Sequence, residues 1–283
     1  MNVCIVLVTH NRLEYTKKTV ARLLEDPTEQ FDLYLWDNAS TDGTGEYLKD
    51  GVKDPRVVET ILSQENVGQT GAMNYVWGKT KAELVGKLDN DCLVTPGWTR
   101  IFTQAHKDIE KLGSLACWPF PMKEFDEAIA SPKIISLNGH KIFRHPWTCG
   151  SGFILKHKTF REMGPWREGY KTGTTQYFFK MAVAGYINGW YYPLVLQEHM
   201  DDPESKHSRF HYLPFKEAYK DSYGFKARDI CERRRYIRIR REIIHNLMLE
   251  PYDPGCYCGW RAKMRQLLRR TNLWNLFNKM RET

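Results

Sequence analysis

Apolar positions in the first hundred residues alternate between short unbroken runs and helical spacing. Val3-Cys4-Ile5-Val6-Leu7-Val8 is continuous and rich in β-branched residues, the pattern of a strand buried on both faces. Leu13, Val20, Leu23 and Leu24 then recur at helical intervals to about Asp26, where Pro27 is a stop. Further strands are expected at Phe31–Trp36, Val57–Leu62 and Leu84–Leu88, and a helix over Thr70–Lys81. Ser40 or Thr41 is placed to cap a short helix after the turn-rich segment Asp37–Gly43. Strands alternating with helices imply right-handed β-α-β units and a mostly parallel sheet.

The next hundred residues are less regular. The spacing predicts helices over Ile101–Leu112, Lys158–Met163 and Tyr177–Ala184, the last closed by Gly185. Strands are expected at Leu115–Trp118, Ser151–Leu155 and Gly189–Val195, with a proline-bearing loop over Phe120–Ile134. Beyond Asp201 the chain turns polar, then basic and helical from about Arg228. The division that follows is one α/β domain over 1–225 and a basic helical extension at 226–283.

Open parallel sheets bind ligands beyond the carboxyl ends of their strands. Three polar clusters stand there: Thr9-His10-Asn11-Arg12, Asp37-Asn38-Ala39-Ser40-Thr41-Asp42 and Asp89-Asn90-Asp91. Two carboxylates two residues apart after a strand can converge on Mg²⁺ or Mn²⁺, hard ions that keep open positions for phosphate oxygens. The same residues also suit an Asx-rich turn. A carboxylate at Asp37 can accept from a ribose hydroxyl or from the N3–H of uracil. Gly68 and Gly71 permit close backbone approach to a ligand at the start of a helix. The P-loop lysine pattern and the G-x-G-x-x-G fingerprint are both absent.

Together Val8-Thr9-His10-Asn11-Arg12, Asp37 to Thr44, Asn66-Val67-Gly68 with Ala72-Met73-Asn74, and Lys87-Leu88-Asp89-Asn90-Asp91 resemble the family-2 nucleotide-sugar glycosyltransferases of GT-A fold, over about residues 1–200. The resemblance implies a metal-dependent enzyme of glycan biosynthesis, with a nucleotide-sugar-binding half at 1–100 and an acceptor half at 101–225. It would move a hexosyl group from a nucleoside diphosphate sugar, by default a UDP-sugar, to a glycan, lipid-linked or protein acceptor, with inversion. By that resemblance Thr9, Asn11, Arg12, Asp37, Asn38, Asn66, Gly68, Asn74, Lys87, Asp89 and Asn90 border the donor. Asp91 leads the metal site, with Asp89 beside it and His199 as the histidine after the last strand. Cys149 to Leu155, followed by Phe160, Met163-Gly164 and Trp166, is similar to the family's acceptor-side strand and helix. Trp147 and Trp166 are the candidates to stack on an acceptor sugar. Relatives carry an acidic pair containing the general base where Gly173 and Thr174 stand here, and neither of these can serve. Asp201, then Glu198 and Glu168, are the substitutes considered, subject to hydrogen-bond reach.

Charge adds a second theme. Residues 226–283 hold 15 Lys and Arg against 6 Asp and Glu, whereas the remaining chain holds 27 against 28, so the net +8 resides in the extension. Trp260, Met264, Leu267, Leu268, Leu273, Trp274, Leu276 and Phe277 interleave with its Arg and Lys, as in a helix lying on an anionic bilayer; such a stripe can equally pack on protein. Cys256-x-Cys258 lacks a second ligand pair at zinc-knuckle spacing. Irregularly spaced cysteines, no secretory signal and no run of about 20 apolar residues point to a cytoplasmic protein, peripheral to the membrane if the extension binds it. The alternatives are a sugar nucleotidyltransferase, which lacks its glycine-rich basic loop here, and a nucleic-acid- or membrane-binding protein led by the extension. No recognised nucleic-acid module supports the latter.

Overall fold

A computed structural model describes residues 1–169, 174–218, 230–250, 252–257, 259–261 and 263–264. Eleven strands are present among them: β1 Val3–Thr9, β2 Asp32–Asp37, β3 Val57–Leu62, β4 Leu84–Asp89, β5 Cys92–Val94, β6 Leu112–Ala116, β7 Ile134–Leu137, β8 His140–Arg144, β9 Phe153–Lys156, β10 Ile187–Tyr192 and β11 Gln197–His199. Helices, short ones included, are α1 Leu13–Leu23, α2 Thr44–Glu46, α3 Gly68–Lys79, α4 Trp98–Asp108, α5 Glu127–Ala130, α6 His157–Met163, α7 Thr175–Val183, α8 Phe215–Ala218 and α9 Ile230–Leu249.

Nine strands form one sheet in the order β3-β2-β1-β4-β9-β6-β10-β8-β7. The pairings β2–β3, β1–β2, β1–β4 and β6–β10 are parallel, and those of β9 and β8 with their neighbours are antiparallel. Seven strands therefore run one way and only β9 and β8 oppose them, the mixed, mostly parallel α/β architecture expected. β5 and β11 form a separate antiparallel pair.

The unbroken apolar run of β1 is explained by burial on both sides. Cys4, Val6 and Val8 face Met73, Val76 and Trp77 of α3 and the aromatic group Trp118, Phe143 and Trp190. Val3, Ile5 and Leu7 face Val20 and Leu23 of α1 and Trp98, Phe102 and Ala105 of α4. Ile244, Leu247 and Met248 of α9 join the first layer, so this part of the basic extension packs on the domain.

Several local expectations are corrected. The α4 helix ends at Asp108 and Leu112 opens β6, since Leu112–Ala116 is buried throughout and pairs with β10 and β9. The segment read as a loop over Phe120–Ile134 contains helical turns at Met122–Glu124, Glu127–Ala130 and Ser131–Lys133, the second started by the Asp126 side chain accepting from Ile129 N at 3.2 Å. Asp42 rather than Ser40 or Thr41 stabilises the start of α2, accepting from Thr44 N at 3.1 Å and Thr44 Oγ1 at 2.6 Å. Ser151 lies before β9 rather than in it, ahead of Gly152 with its φ of +59°. Gly173, Cys258 and residues 265–283 lie outside the described residues, and with them most of the stripe that begins at Trp260.

Candidate active site

Parallel register brings the polar clusters together. Thr9 stands opposite Asp37 and Val8 opposite Asp89, so β1, β2 and β4 end on the same edge. The chain leaves β1 through two successive left-handed residues, Asn11 (φ 55°) and Arg12 (φ 65°), a conformation that costs an L-residue energy and turns the chain sharply into α1. Asn11 is held there by Asn90 Nδ2, which donates to its carbonyl at 2.8 Å, and by Ser40 Oγ, which accepts from its N–H at 2.7 Å.

Many of the residues assigned to the donor are buried braces. Thr9 Oγ1 donates to Asp37 Oδ1 at 2.9 Å, and Asp37 Oδ2 accepts from Ser40 N at 2.9 Å. Asn38 Oδ1 accepts from Trp36 Nε1 at 3.0 Å. Asn90 also donates to Thr16 Oγ1, at 2.9 Å, and its carbonyl accepts from Thr19 Oγ1. Asn66 Oδ1 accepts from Gly68 N at 2.9 Å, an Asx turn leading into α3. Gly68 takes φ +73° there, available to glycine without strain. Asn74, on α3, clasps the segment after α6 instead: it donates to Trp166 O at 2.9 Å and Glu168 Oε1 at 2.7 Å and accepts from Trp166 N at 2.9 Å.

Lys87 has no exposed surface. Its three N–H groups meet Gly150 O at 2.7 Å, Asp89 Oδ1 at 2.6 Å and Gln69 Oε1. It therefore orients Asp89, whose own N–H donates to Ser151 Oγ at 2.9 Å.

The third cluster closes around Asp91. β11 pairs with β5 so that His199 lies opposite Cys92, and Met200 N donates to Asp91 O at 2.8 Å. One ligand atom each from Asp91, Cys92 and His199 lies within 4.8 Å of the others. His199 Nε2 is 3.8 Å from Asp91 Oδ1, while Arg12 Nη1 is 2.8 Å from Asp91 Oδ2 and 2.7 Å from Asp201 Oδ2. Burial disfavours the Asp91 carboxylate, but His199 and Arg12 outweigh it and hold its pKa below the usual value. Asp201 is raised, by burial first and by the Asp91 charge, with Arg12 opposing. For His199, burial works against the imidazolium, yet the Asp91 carboxylate leads the groups that raise it well above the ordinary range.

The base candidates separate. Asp201 is buried and its carboxylate is engaged by Arg12. Glu168 is exposed and holds Asn74. Glu198 is exposed and lines a cleft of about 450 Å³ between Pro119–Lys123 and Leu196–His199, accepting from Ser205 Oγ at 2.6 Å. Thr174 is buried where relatives were expected to carry an acid, and a Cβ on Gly150 would come within 2.7 Å of its Oγ1.

Trp166 is corrected: only 2% exposed, it stacks on Tyr177 at 3.7 Å and offers no face to a sugar. Trp147 is half-buried, its Nε1 donating to Thr175 Oγ1 at 3.2 Å. Cys92 was not singled out from the sequence, although it directly follows Asp91. Tyr15 was also missed; its hydroxyl donates to Met200 O at 3.3 Å and accepts from Arg209 N at 2.9 Å, anchoring the segment after His199.

An open α/β sheet with its polar clusters gathered at one strand edge is the architecture that the comparisons match. The model of glycosyl transferase family 2 matches residues 4–183, and the chain belongs to that family. Among solved structures it is similar to a mannosyltransferase, PcManGT from Pyrobaculum calidifontis, in complex with GDP-Man and Mn²⁺. That match has TM-score 0.58 and 15% identity and covers 98% of this chain and 83% of the other. It is also similar to S. aureus TarS residues 1–349 in complex with UDP-GlcNAc, with TM-score 0.52, 13% identity and coverage of 91% and 75%. A search of curated proteins by sequence gave no match.

Proposed function

We propose that this glycosyltransferase moves a hexosyl group from a nucleoside diphosphate sugar to an acceptor hydroxyl with inversion, using Mn²⁺ or Mg²⁺ held by Asp91 and His199. The supporting observation is the convergence of Asp91, Cys92 and His199 at the strand edge that also carries Asp37 and Asp89. The donor set fits such an ion. A carboxylate and an imidazole suit it, the imidazole once its proton is displaced, whereas the Cys92 thiol is a soft ligand that such hard ions do not favour. When bound, the cation would offset the negative charge that grows on the departing diphosphate.

The protein's own residues supply the rest. Arg12 places a guanidinium between Asp91 and Asp201, keeping two buried carboxylates at one site compatible with an anionic donor. UDP-sugars are the donors we assign, and Asp37, buried and fixed by Thr9 and Ser40, shapes the strand edge where the base would lie. Lys87 orients Asp89 toward the ribose or donor sugar. Glu198 opens on the cleft, and we assign it, in preference to Asp201, as the group that takes the proton of the acceptor hydroxyl.

The test is thermal unfolding with UDP, GDP, CDP and dTDP, each with and without Mn²⁺. Ligand at about 100 times its dissociation constant adds about 2.7 kcal/mol. UDP stabilising the protein only with Mn²⁺ is the expected result. Stabilisation that ignores Mn²⁺ would overturn the metal site, and indifference to every nucleotide would overturn the donor reading.

A further inference from the structure

Helix α9 carries a guanidinium that its sequence does not distinguish from its neighbours. Arg240 stands in a basic block with Arg238 and Arg241, yet its side chain is only 4% exposed and meets three carboxylates. Nη1 donates to both oxygens of Asp202, at 2.7 and 2.6 Å, Nε donates to Glu124 Oε2 at 3.0 Å, and Nη2 reaches Glu124 Oε1 and Glu204. Arg238, two residues earlier, is exposed, with Glu242 at 3.9 Å.

These acids come from opposite sides of the cleft beside the metal cluster. Glu124 follows the wall formed by Pro119–Lys123; Asp202 and Glu204 belong to the wall that begins at Leu196. That second wall presents His199 to Asp91 and Asp201 to Arg12. Asp202 is its hub: its N–H donates to His199 O at 2.9 Å, its carbonyl accepts from Ser205 N at 2.9 Å, and its Oδ1 accepts from Glu204 N at 2.9 Å. Consecutive aspartates are thus pinned by different arginines, Asp201 by Arg12 from the turn after β1 and Asp202 by Arg240 from the C-terminal helix. Two exposed cations assist, Lys123 Nζ at 2.7 Å from Glu204 and Arg241 Nε at 3.1 Å from Glu124, but of the three Arg240 is the buried one, and without it the buried side chains of Glu124 and Asp202 would repel one another across a poorly hydrated gap.

We propose that Arg240 is a positioning residue for sugar transfer: it straps the 119–124 wall to the 197–205 wall, sets where His199 stands relative to Asp91, and so makes α9 part of the active site. What the strap serves rests on the transferase reading above; its existence is measured separately.

The experiment compares full-length Arg240→Met, Arg240→Lys and Arg238→Met with the wild type. Hydrogen exchange reads the amides of 197–205 against those of β1 and β4, and electron paramagnetic resonance reads free Mn²⁺ in titrations with UDP. Arg240→Met is expected to keep the protection of β1 and β4 while the Asp202 and Ser205 amides exchange at least tenfold faster, with Mn²⁺ affinity at least tenfold weaker. Arg240→Lys should recover part of both effects, and Arg238→Met should match the wild type. Unchanged exchange in folded Arg240→Met overturns the strap; faster exchange with unchanged Mn²⁺ affinity overturns the positioning role. Should Arg240→Met not fold, Glu124→Gln loosens the same strap from the other wall, and unchanged exchange at 197–205 in that variant is equally decisive against it. A wild type that binds no Mn²⁺ refutes the metal reading, and the exchange comparison still decides the strap.

Discussion

Replacing Lys87 by methionine keeps the length of the side chain and removes its charge at a point with no exposed surface. Three acceptors lose their donor together: Gly150 O, Asp89 Oδ1 and Gln69 Oε1. Hydrogen bonds to a charged group contribute about 1.5–3 kcal/mol each, and a stranded buried acceptor costs about 1–3 kcal/mol. Asp89 is 33% exposed and Gln69 half-buried, so water recovers part of two of the three losses. The net expectation is a loss of about 2–4 kcal/mol, or roughly 5–15 °C in Tm at ~2–4 °C per kcal/mol. Urea unfolding of Lys87→Met, Asp89→Asn and the double variant should give a coupling of about 1–2 kcal/mol between the pair. Because Lys87 orients Asp89, calorimetric titration should also show nucleotide affinity roughly tenfold weaker in Lys87→Met, about 1.4 kcal/mol. A Lys87→Met protein as stable as the wild type, or a coupling under about 0.3 kcal/mol, would refute the claim that this buried ammonium holds the end of β4 together.

Other outcomes follow from the same geometry. Asp91→Ala should lower Mn²⁺-dependent turnover by about 10³-fold or more while leaving the circular dichroism of the fold intact, because Arg12 keeps Asp201 as a partner; retained turnover in the variant under chelation would remove the metal hypothesis. Lys133, buried and near Arg144, has its pKa lowered to about 7, so between about pH 7 and 10.5 the unfolded chain binds the extra proton. Stability should therefore rise with pH across that window, by up to ~1.4 kcal/mol per unit, relative to Lys133→Met; parallel pH profiles of the two proteins would contradict this. Gly152→Ala would force a φ of +59° on alanine and set its Cβ 2.3 Å from Gln197 Oε1, and chemical denaturation should register a loss of about 1–3 kcal/mol; unchanged stability would mean that β11 shifts freely.

The first hundred residues were legible because their signals are local. An unbroken apolar run followed by polar residues marks a buried strand and its end, and parallel pairing carries Thr9, Asp37 and Asp89 to one edge without further information. Burial was harder to read. Trp147 and Trp166 look alike in sequence, yet one is half-buried and the other stacks inside the core, because α3 and α7 close over Trp166. Thr9, Asn38 and Asn90 carry the polar atoms that a ligand could use, and the folded chain uses them on itself.

The sequence alone determined the family and the strand edge that gathers the polar clusters, and it pointed to Asp91 as the centre of the candidate site, since each depends on short-range pattern and on the ends of buried strands. Tertiary structure decided which distant groups complete it. β11 is a three-residue strand with no periodicity of its own, and its pairing with β5 is what sets His199 beside Asp91 and Cys92. Arg240 is one arginine in a run of them until helix packing buries it among Glu124, Asp202 and Glu204. A charge pattern records how many cations a segment holds; only packing excludes water from one of them and gives it partners.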